Sequence, residues 1–333
     1  MTIAFITGAT GFVGSSLARA LVAQGVGVRA LTRSNSDRSR LADLPIEWVE
    51  GDILQPESLN GRFQQCDWLI HAAGRLGEAG VPESAYQTLH VDGTRHVLTE
   101  AEKTYQAGLG CQRILHISSP GVLGPMAAPP APAATEAWPT APSNPYERSK
   151  AMAELVALTF AKSGLPVIIG RPEFVYGPGD THVLGLYRAI QRGIFFYVGN
   201  GRSVCHPTYI DDAVDGLLAA LRQGETGEIY HIAGPEPVTF EQLGQTIAAA
   251  LAVRPPWLRL PRPLAWSGAL GLELLGKIGR FTPPLSRTGV TFFSESRHFS
   301  WQKAQQAFGY QPAYDLPTGV AKTVAWYQTE GYL

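Results

Sequence analysis

Tyr146 and Lys150 stand four residues apart in the run Asn144-Pro145-Tyr146-Glu147-Arg148-Ser149-Lys150. On a helix that spacing sets a phenol and an ammonium side by side on one face. A neighbouring cation favours the phenolate, which lowers the tyrosine pKa from about 10 toward neutrality. Tyr146 is then a candidate general acid/base for an alcohol or carbonyl oxygen. Asn144 can cap such a helix and Pro145 suits its first turn. An exposed helix face without chemistry carries the same pattern, so the assignment needs support from elsewhere in the chain.

That support comes from the first residues. The apolar segment Ile3 to Thr7 runs into Gly8-Ala9-Thr10-Gly11-Phe12-Val13-Gly14, and an amphipathic segment from Ser15 to Gln24 follows. Glycines spaced by three between a strand and a helix let backbone approach a pyrophosphate and aim the helix N-terminus at its charge. A second strand, Val26 to Thr32, follows on schedule. Further strands are expected at Glu47–Glu50, Trp68–His71, Arg113–Ser118 and Val167–Gly170, with helical spacing over Ser84–Gln106 and Tyr146–Lys162. This alternation predicts an α/β fold: a Rossmann-type doubly wound parallel sheet with its ligand at the carboxyl ends of the strands.

Residues 1–178 read as the dinucleotide-binding domain, to which some later segments return. Residues 179–333 read mainly as a smaller α/β substrate-binding region, with 255–333 capping the cleft. Expected there are helices near Val183–Gln191, Ala213–Leu221 and Thr239–Leu251, and a strand near Val204–Ile210. The proline-rich run from Pro125 to Pro145 is either a solvated loop or a mobile lid beside the cleft. Asp211 and Asp212 resemble paired carboxylates for a metal, but starting a helix is the better reading, and no metal is expected.

Composition excludes several classes. With 45% hydrophobic and 17% charged residues, the chain supports a substantial packed core. A net charge of −1 gives no basic excess for nucleic acid. Cys66, Cys111 and Cys205 are odd in number and far apart, which fits a reducing compartment better than a disulfide framework or a zinc site. The apolar strand starts beside Met1, from which no signal peptide is expected. The apolar stretch Pro263 to Gly276 is too short to span a bilayer and carries Glu273. The expected location is the cytoplasm.

Taken in order, Gly8-x-x-Gly11-x-x-Gly14, Gly51-Asp52-Ile53, His71-Ala72-Ala73-Gly74, Val91-Asp92-Gly93-Thr94, Ile117-Ser118-Ser119, Tyr146-x-x-x-Lys150 and Arg171-Pro172-Glu173-Phe174-Val175-Tyr176-Gly177-Pro178-Gly179-Asp180 resemble the extended short-chain dehydrogenase/reductase family, within the NAD-dependent epimerase/dehydratase superfamily. The resemblance covers nearly the whole chain and implies an NAD(P)-dependent enzyme. It places Ser119 on the substrate oxygen, Tyr146 as proton donor or acceptor, and Lys150 on the tyrosine and the nicotinamide ribose. Cofactor contacts are implied for Gly8, Thr10, Gly11, Phe12, Val13, Gly14, Ile53, Ala72, Ala73, Gly74, Tyr146, Lys150, Pro172 and Val175, with Asp52 meeting the adenine amino group. Ser118 is expected to pack in its strand. His90 stands where many relatives carry an asparagine of the proton relay; helix-surface packing is the favoured reading and a relay role stays open.

Cofactor choice turns on the end of the second strand, where an acid reads NAD and an arginine accommodates the 2′-phosphate of NADP. Thr32 takes the acid's place, and Arg33, Ser34 and Arg38 follow. Guanidinium–phosphate pairing therefore favours NADP(H), with NAD(H) the alternative.

For substrate, relatives acting on nucleotide sugars carry a diphosphate-gripping arginine where this chain has Cys205; Arg202 lies three residues early. The C-terminal half instead resembles the 3β-hydroxysteroid dehydrogenase-like branch, through Trp257-Leu-Arg-Leu-Pro261-Arg-Pro263, the apolar helix Leu264–Ile278, Pro283-Pro284-Leu285-Ser286-Arg287 and the segment Phe299 to Pro312. That branch implies a secondary alcohol or ketone on a hydrophobic substrate, steroid-like or a long-chain β-keto or β-hydroxy acid. The apolar helix fits a pocket wall or an interfacial surface with room for peripheral membrane contact, while core packing is the reading favoured for any single residue. A nucleotide-sugar epimerase or dehydratase with retained NAD is the alternative, and a non-enzymatic dinucleotide sensor a third. Expected partners are a small hydrophobic molecule and a second copy of the chain.

Overall fold

The computed structural model describes residues 1–78, 80–129, 131–279 and 285–333. Pro283, Pro284 and the side chain of Ile278 therefore lie outside the described residues. Seven parallel strands form the central sheet. Within it β1 (Ile3–Thr7) has β2 (Gly27–Thr32) and β3 (Ile46–Glu50) on one side. On the other side lie β4 (Trp68–His71), β5 (Arg113–Ile117) and β6 (Val167–Pro172). The last strand, Ile229–Ile232, pairs with β6. It was not expected from the sequence, because a four-residue run carries little pattern, and it returns the later chain to the nucleotide-binding sheet. Sequence order reverses at β1, so a crevice opens between the carboxyl ends of β1 and β4.

Helices cover both faces, as crossovers between parallel strands demand. On one face Leu17, Ala18 and Leu21 of α1 (Phe12–Ala23) share a core with Leu217, Leu218 and Leu221 of helix Ile210–Gln223. On the other, Val97, Leu98 and Ala101 of α3 (Gly93–Gln106) share a core with Ala157 of α4 (Pro145–Lys162). Each fully buried leucine contributes about 1.5–3 kcal/mol to this arrangement. Asn144 caps α4 by accepting from the Glu147 amide at 2.9 Å, as its sequence position implies.

Two expected elements are altered. The helix over Ser84–Gln106 is interrupted: α2 (Glu83–Tyr86) leads into a π-helical turn, Gln87–Asp92, before α3. That wider turn buries His90 and Val91. The strand near Val204–Ile210 is split at Pro207, which has no ladder donor. Val204–Cys205 pairs with Val238–Thr239, and Thr208–Tyr209 pairs with Val175–Tyr176.

The proline-rich run is a largely exposed loop, but it is tethered and not a free lid. Its described residues are strapped to 296–300: Met126 and Ala134 amides donate to Ser296 and His298 carbonyls at 3.0 and 3.1 Å. Ser300 returns a bond to Ala134 at 2.8 Å, and Phe299 packs with Ala134, Val122 and Leu123.

The region after 255 packs against the preceding helices. Helix Leu316–Thr329 packs on Phe240–Ala250, and Asp212 accepts from the Ala313 and Tyr314 amides. Helix Arg262–Gly279 buries Ala265 and Ala269 but leaves Leu264, Leu274 and Leu275 more than half exposed. Core packing therefore fails as an account of those leucines and of Trp257, which is 79% exposed. Among the described residues no helix is long and apolar enough to cross a membrane.

Candidate active site

The first turn explains its own glycines. Gly8 has φ +77°, and a Cβ there would lie 2.5 Å from the Ala73 amide nitrogen. A Cβ on Gly14 would lie 2.2 Å from the Gly8 carbonyl oxygen. Only glycine lets β1, the turn and α1 close against the Ala72-Ala73-Gly74 strand end. Gly11 heads α1 with no side-chain cap, so the first-turn amides after it point into the crevice unclaimed by a side chain. Thr10, Phe12 and Val13 are half-buried around that turn. These groups fit a dinucleotide pyrophosphate.

At the end of β2, Arg33 and Ser34 are exposed, and the Arg33 guanidinium has no partner among the described residues. Arg38 lies over the Trp48 ring at 5.3 Å. Arg40, which the sequence did not single out, donates to the Gly179 carbonyl at 2.6 Å and joins this loop to the one after β6. Asp52 accepts from the Leu54 amide at 2.9 Å, and Ile53 is buried against Gly93. Pro172 ends β6 and Val175 opens the short pair with Thr208, so both sit at the carboxyl edge of the sheet.

Ser119 follows β5, and Tyr146 and Lys150 lie on the first turns of α4. Lys150 is 8% exposed, and its Nζ donates to the Ile117 carbonyl at 2.7 Å. Burial pulls its pKa down to about 8, against the pull of Glu154. A Cβ on Gly74 would lie 3.9 Å from that Nζ, so the β4 end closes on it as well. Ser119 accepts from the Gly121 amide at 3.2 Å, and its hydroxyl faces the Tyr146 phenol, with which it hydrogen-bonds. Ser118 is buried at the strand end, its hydroxyl without a partner.

Tyr146 runs opposite to the expected direction. Loss of solvent around its hydroxyl pushes the pKa up to about 12, with Ser119 pulling it down and Glu173, Glu147 and Tyr86 adding to the rise. Burial is the largest cause, and the Lys150 ammonium that the four-residue spacing promised bonds a backbone carbonyl instead.

His90 is not a helix-surface residue. It is 2% exposed, with Nε2 accepting from the Arg75 amide at 3.0 Å and Nδ1 bonded to Ser149 Oγ at 2.8 Å. Burial, then the Lys150 charge, pulls its pKa down to about 3.

Two acidic residues and an arginine were also missed. Arg297 arrives beside Cys205 by donating its amide to Val204 at 2.9 Å. Its guanidinium bonds Glu147 at 2.8 Å and Glu295 at 3.1 Å, so the one arginine brought here is already paired. Glu173 is 6% exposed, and burial raises its pKa to about 8, with Arg297 lowering it and Glu147 raising it. The Glu147–Arg297 pair spans 150 positions, so no local pattern signals it. Cys205 is fully buried and burial pushes its thiol well up. Arg202 is exposed on a turn. Asp212 starts its helix, as expected, and also holds the 313–314 turn.

A parallel sheet reversing at a glycine turn, with a Tyr-x-x-x-Lys pair at its carboxyl edge, defines a dinucleotide-dependent enzyme. The family model for the NAD dependent epimerase/dehydratase family matches residues 4–233, and the chain belongs to that family. It is 30% identical to a putative dihydroflavonol 4-reductase of Synechocystis sp., over 99% of this chain and 95% of that one. It is 29% identical to a 2-alkyl-3-oxoalkanoate reductase of Shewanella oneidensis, over 97% and 85%. The crystal structure of gox2253 matches with a TM-score of 0.83 at 28% identity, covering 100% of both chains. A UDP-glucuronic acid 4-epimerase from Bacillus cereus in complex with NAD shares the fold, at TM-score 0.78 and 20% identity over 98% and 97%. The protein is an NAD(P)-dependent oxidoreductase of the extended short-chain type.

Proposed function

We propose that the chain interconverts a ketone and a secondary alcohol on a hydrophobic substrate, steroid-like or long-chain acyl, with NADP(H) as cofactor and Ser119, Tyr146 and Lys150 as its catalytic residues. The observation that carries this is the hydrogen-bonding approach of Ser119 to the Tyr146 phenol at the carboxyl edge of β5, with Lys150 anchored on the Ile117 carbonyl of the same strand. When bound, the nicotinamide supplies hydride exchange with the substrate carbon. Ser119 donates a hydrogen bond to the substrate oxygen. Tyr146 gives that oxygen its proton during reduction, and a phenol held protonated at neutral pH suits that direction. Lys150, fixed by Ile117, holds charge beneath the site.

An apolar substrate is supported by the commitments seen among the described residues: the buried Cys205 thiol stays neutral, Arg202 is exposed on a turn, and Arg297 is held by two carboxylates. Desolvating a diphosphate there costs several kcal/mol without compensation. The reductase names of the relatives point the same way. Arg33, unpartnered at the end of β2, supports NADP(H) over NAD(H).

The test follows absorbance of reduced nicotinamide with ketosteroids, long-chain β-keto acids and UDP-sugars. Turnover of an apolar ketone with NADPH is the expected result. Micromolar binding of UDP-glucose or UDP-galactose, with turnover on a retained NAD, would make the epimerase reading the better one.

A further inference from the structure

The bonds around His90 fix the placement of its proton. The Arg75 amide can only donate, so His90 Nε2, 3.0 Å away, is a bare acceptor. The single proton of the neutral ring is then on Nδ1, where it is donated to Ser149 Oγ at 2.8 Å. Ser149 keeps its own hydrogen, and that hydrogen goes to the Tyr146 carbonyl at 2.7 Å. The chain runs one way, from the Arg75 amide through imidazole and hydroxyl to the first turn of α4. The Tyr146 ring rests edge-on against the imidazole, with centroids 5.7 Å apart at 80°, and against Tyr86 at 6.2 Å and 73°.

We propose that His90 is a positioning residue for Tyr146 and does not carry the substrate proton: it works as one fixed neutral tautomer that anchors both the backbone and the ring of the tyrosine. The inference rests on the reading of Tyr146 as the proton donor. A relay histidine must take a second proton on a nitrogen that faces a proton source. Here the bare nitrogen faces an amide hydrogen, so a proton there would meet another proton. A Cβ on Gly74 would lie 3.4 Å from that nitrogen, so the β4 end closes over it. The surroundings oppose a positive ring as well. The Lys150 ammonium, and after it buried His71, add to the cost of burial. His71 is itself committed, to Thr7 at 2.7 Å and Thr94 at 3.0 Å.

The direct test is nitrogen-15 NMR of histidine-labelled protein, with the His90 signals assigned by their loss in His90→Phe. A protonated Nδ1 and a bare Nε2, unchanged from pH 5 to 8, are expected. A titration with a midpoint between those limits, or the opposite tautomer, would overturn the proposal. This readout needs no substrate, so it stands or falls separately from the assignment of Tyr146, which Tyr146→Phe turnover decides.

The kinetic arm uses the holoenzyme. His90→Phe and Ser149→Ala should each lower kcat about tenfold, the scale of one well-formed hydrogen bond, and leave KM within about twofold. The double variant should be no slower than the slower single, because both cut one chain. His90→Asn, whose amide can still donate to Ser149, should recover most of the loss seen with His90→Phe. Additive losses, or unchanged turnover in Ser149→Ala, would overturn it. If His90→Phe fails to fold, His90→Asn supplies the assignment, and Ser149→Ala with the spectrum of the unsubstituted protein still decides.

Discussion

The two halves of the site are built by different means. The nucleotide end is mostly backbone: a glycine turn, an uncapped helix start, and strand ends that approach because Gly8 and Gly14 carry no Cβ. The end around Tyr146 is mostly buried side chains, with Lys150, His90, Glu147, Glu173 and Arg297 all nine-tenths buried or more. Backbone donors bind any dinucleotide and can be shared among many activities. Buried ionisable groups must each be satisfied by a partner, so they commit the pocket to a narrow chemistry. The contrast teaches where change is tolerated: charge edits at the open end should alter affinity, and charge edits at the closed end should alter folding.

The sharpest way to break that comparison is Arg297→Met. It leaves Glu147 and Glu295 without their shared cation inside the protein. Removing one partner of a buried pair costs about 3–5 kcal/mol, so denaturant unfolding should show a loss of that size. A loss below about 1 kcal/mol, the exposed-pair scale, would mean that the pair is solvated and the two ends are alike.

Next in size is Tyr146→Phe. Removing only the hydroxyl should lower turnover at least ~100-fold, the scale of general acid–base catalysis, while cofactor binding changes little. Near-unchanged turnover would remove Tyr146 from the chemistry.

At the open end, Arg33→Asp should weaken NADPH by about 1.5–3 kcal/mol, the scale of one charged hydrogen bond, and leave folding unchanged. NADH should bind equally well or better. Comparable NADH and NADPH affinities in the unsubstituted protein would remove Arg33 from cofactor choice.

How much of this was legible followed the same divide. The six strands β1 to β6, the glycine turn and the Tyr146–Lys150 helix are local patterns, set by periodicity and capping within some twenty residues, and the structure keeps them. What failed was long-range. The Ile229–Ile232 strand is too short to carry a pattern, and the strapping of the proline-rich run depends on residues 296–300. The sign of the Tyr146 shift was misjudged because spacing reports which side chains are adjacent, not how much water surrounds them. His90 looked like a surface residue because an α-helical period was assumed where the chain makes a π turn. Arg297 was invisible because its partner Glu147 is 150 positions away.

The effect expected at Glu173 is a slope rather than a single loss. Its folded pKa, about 8, lies above the ordinary carboxylate value, so the folded state keeps a proton that the unfolded chain releases near pH 4 to 5. Between those limits the native state binds more protons than the unfolded one, and stability contributed by this group falls as pH rises. Arg297, which faces it, opposes the shift, and Glu147 adds to it. Glu173→Gln keeps the shape and removes the titration. The variant's melting temperature should match the unsubstituted protein's near pH 4.5 and rise above it progressively toward pH 8. A difference that stays flat across that range, or that favours the glutamate at the alkaline end, would mean the carboxylate is ionised in the fold. The Tyr146 end would then be as open to charge as the nucleotide end.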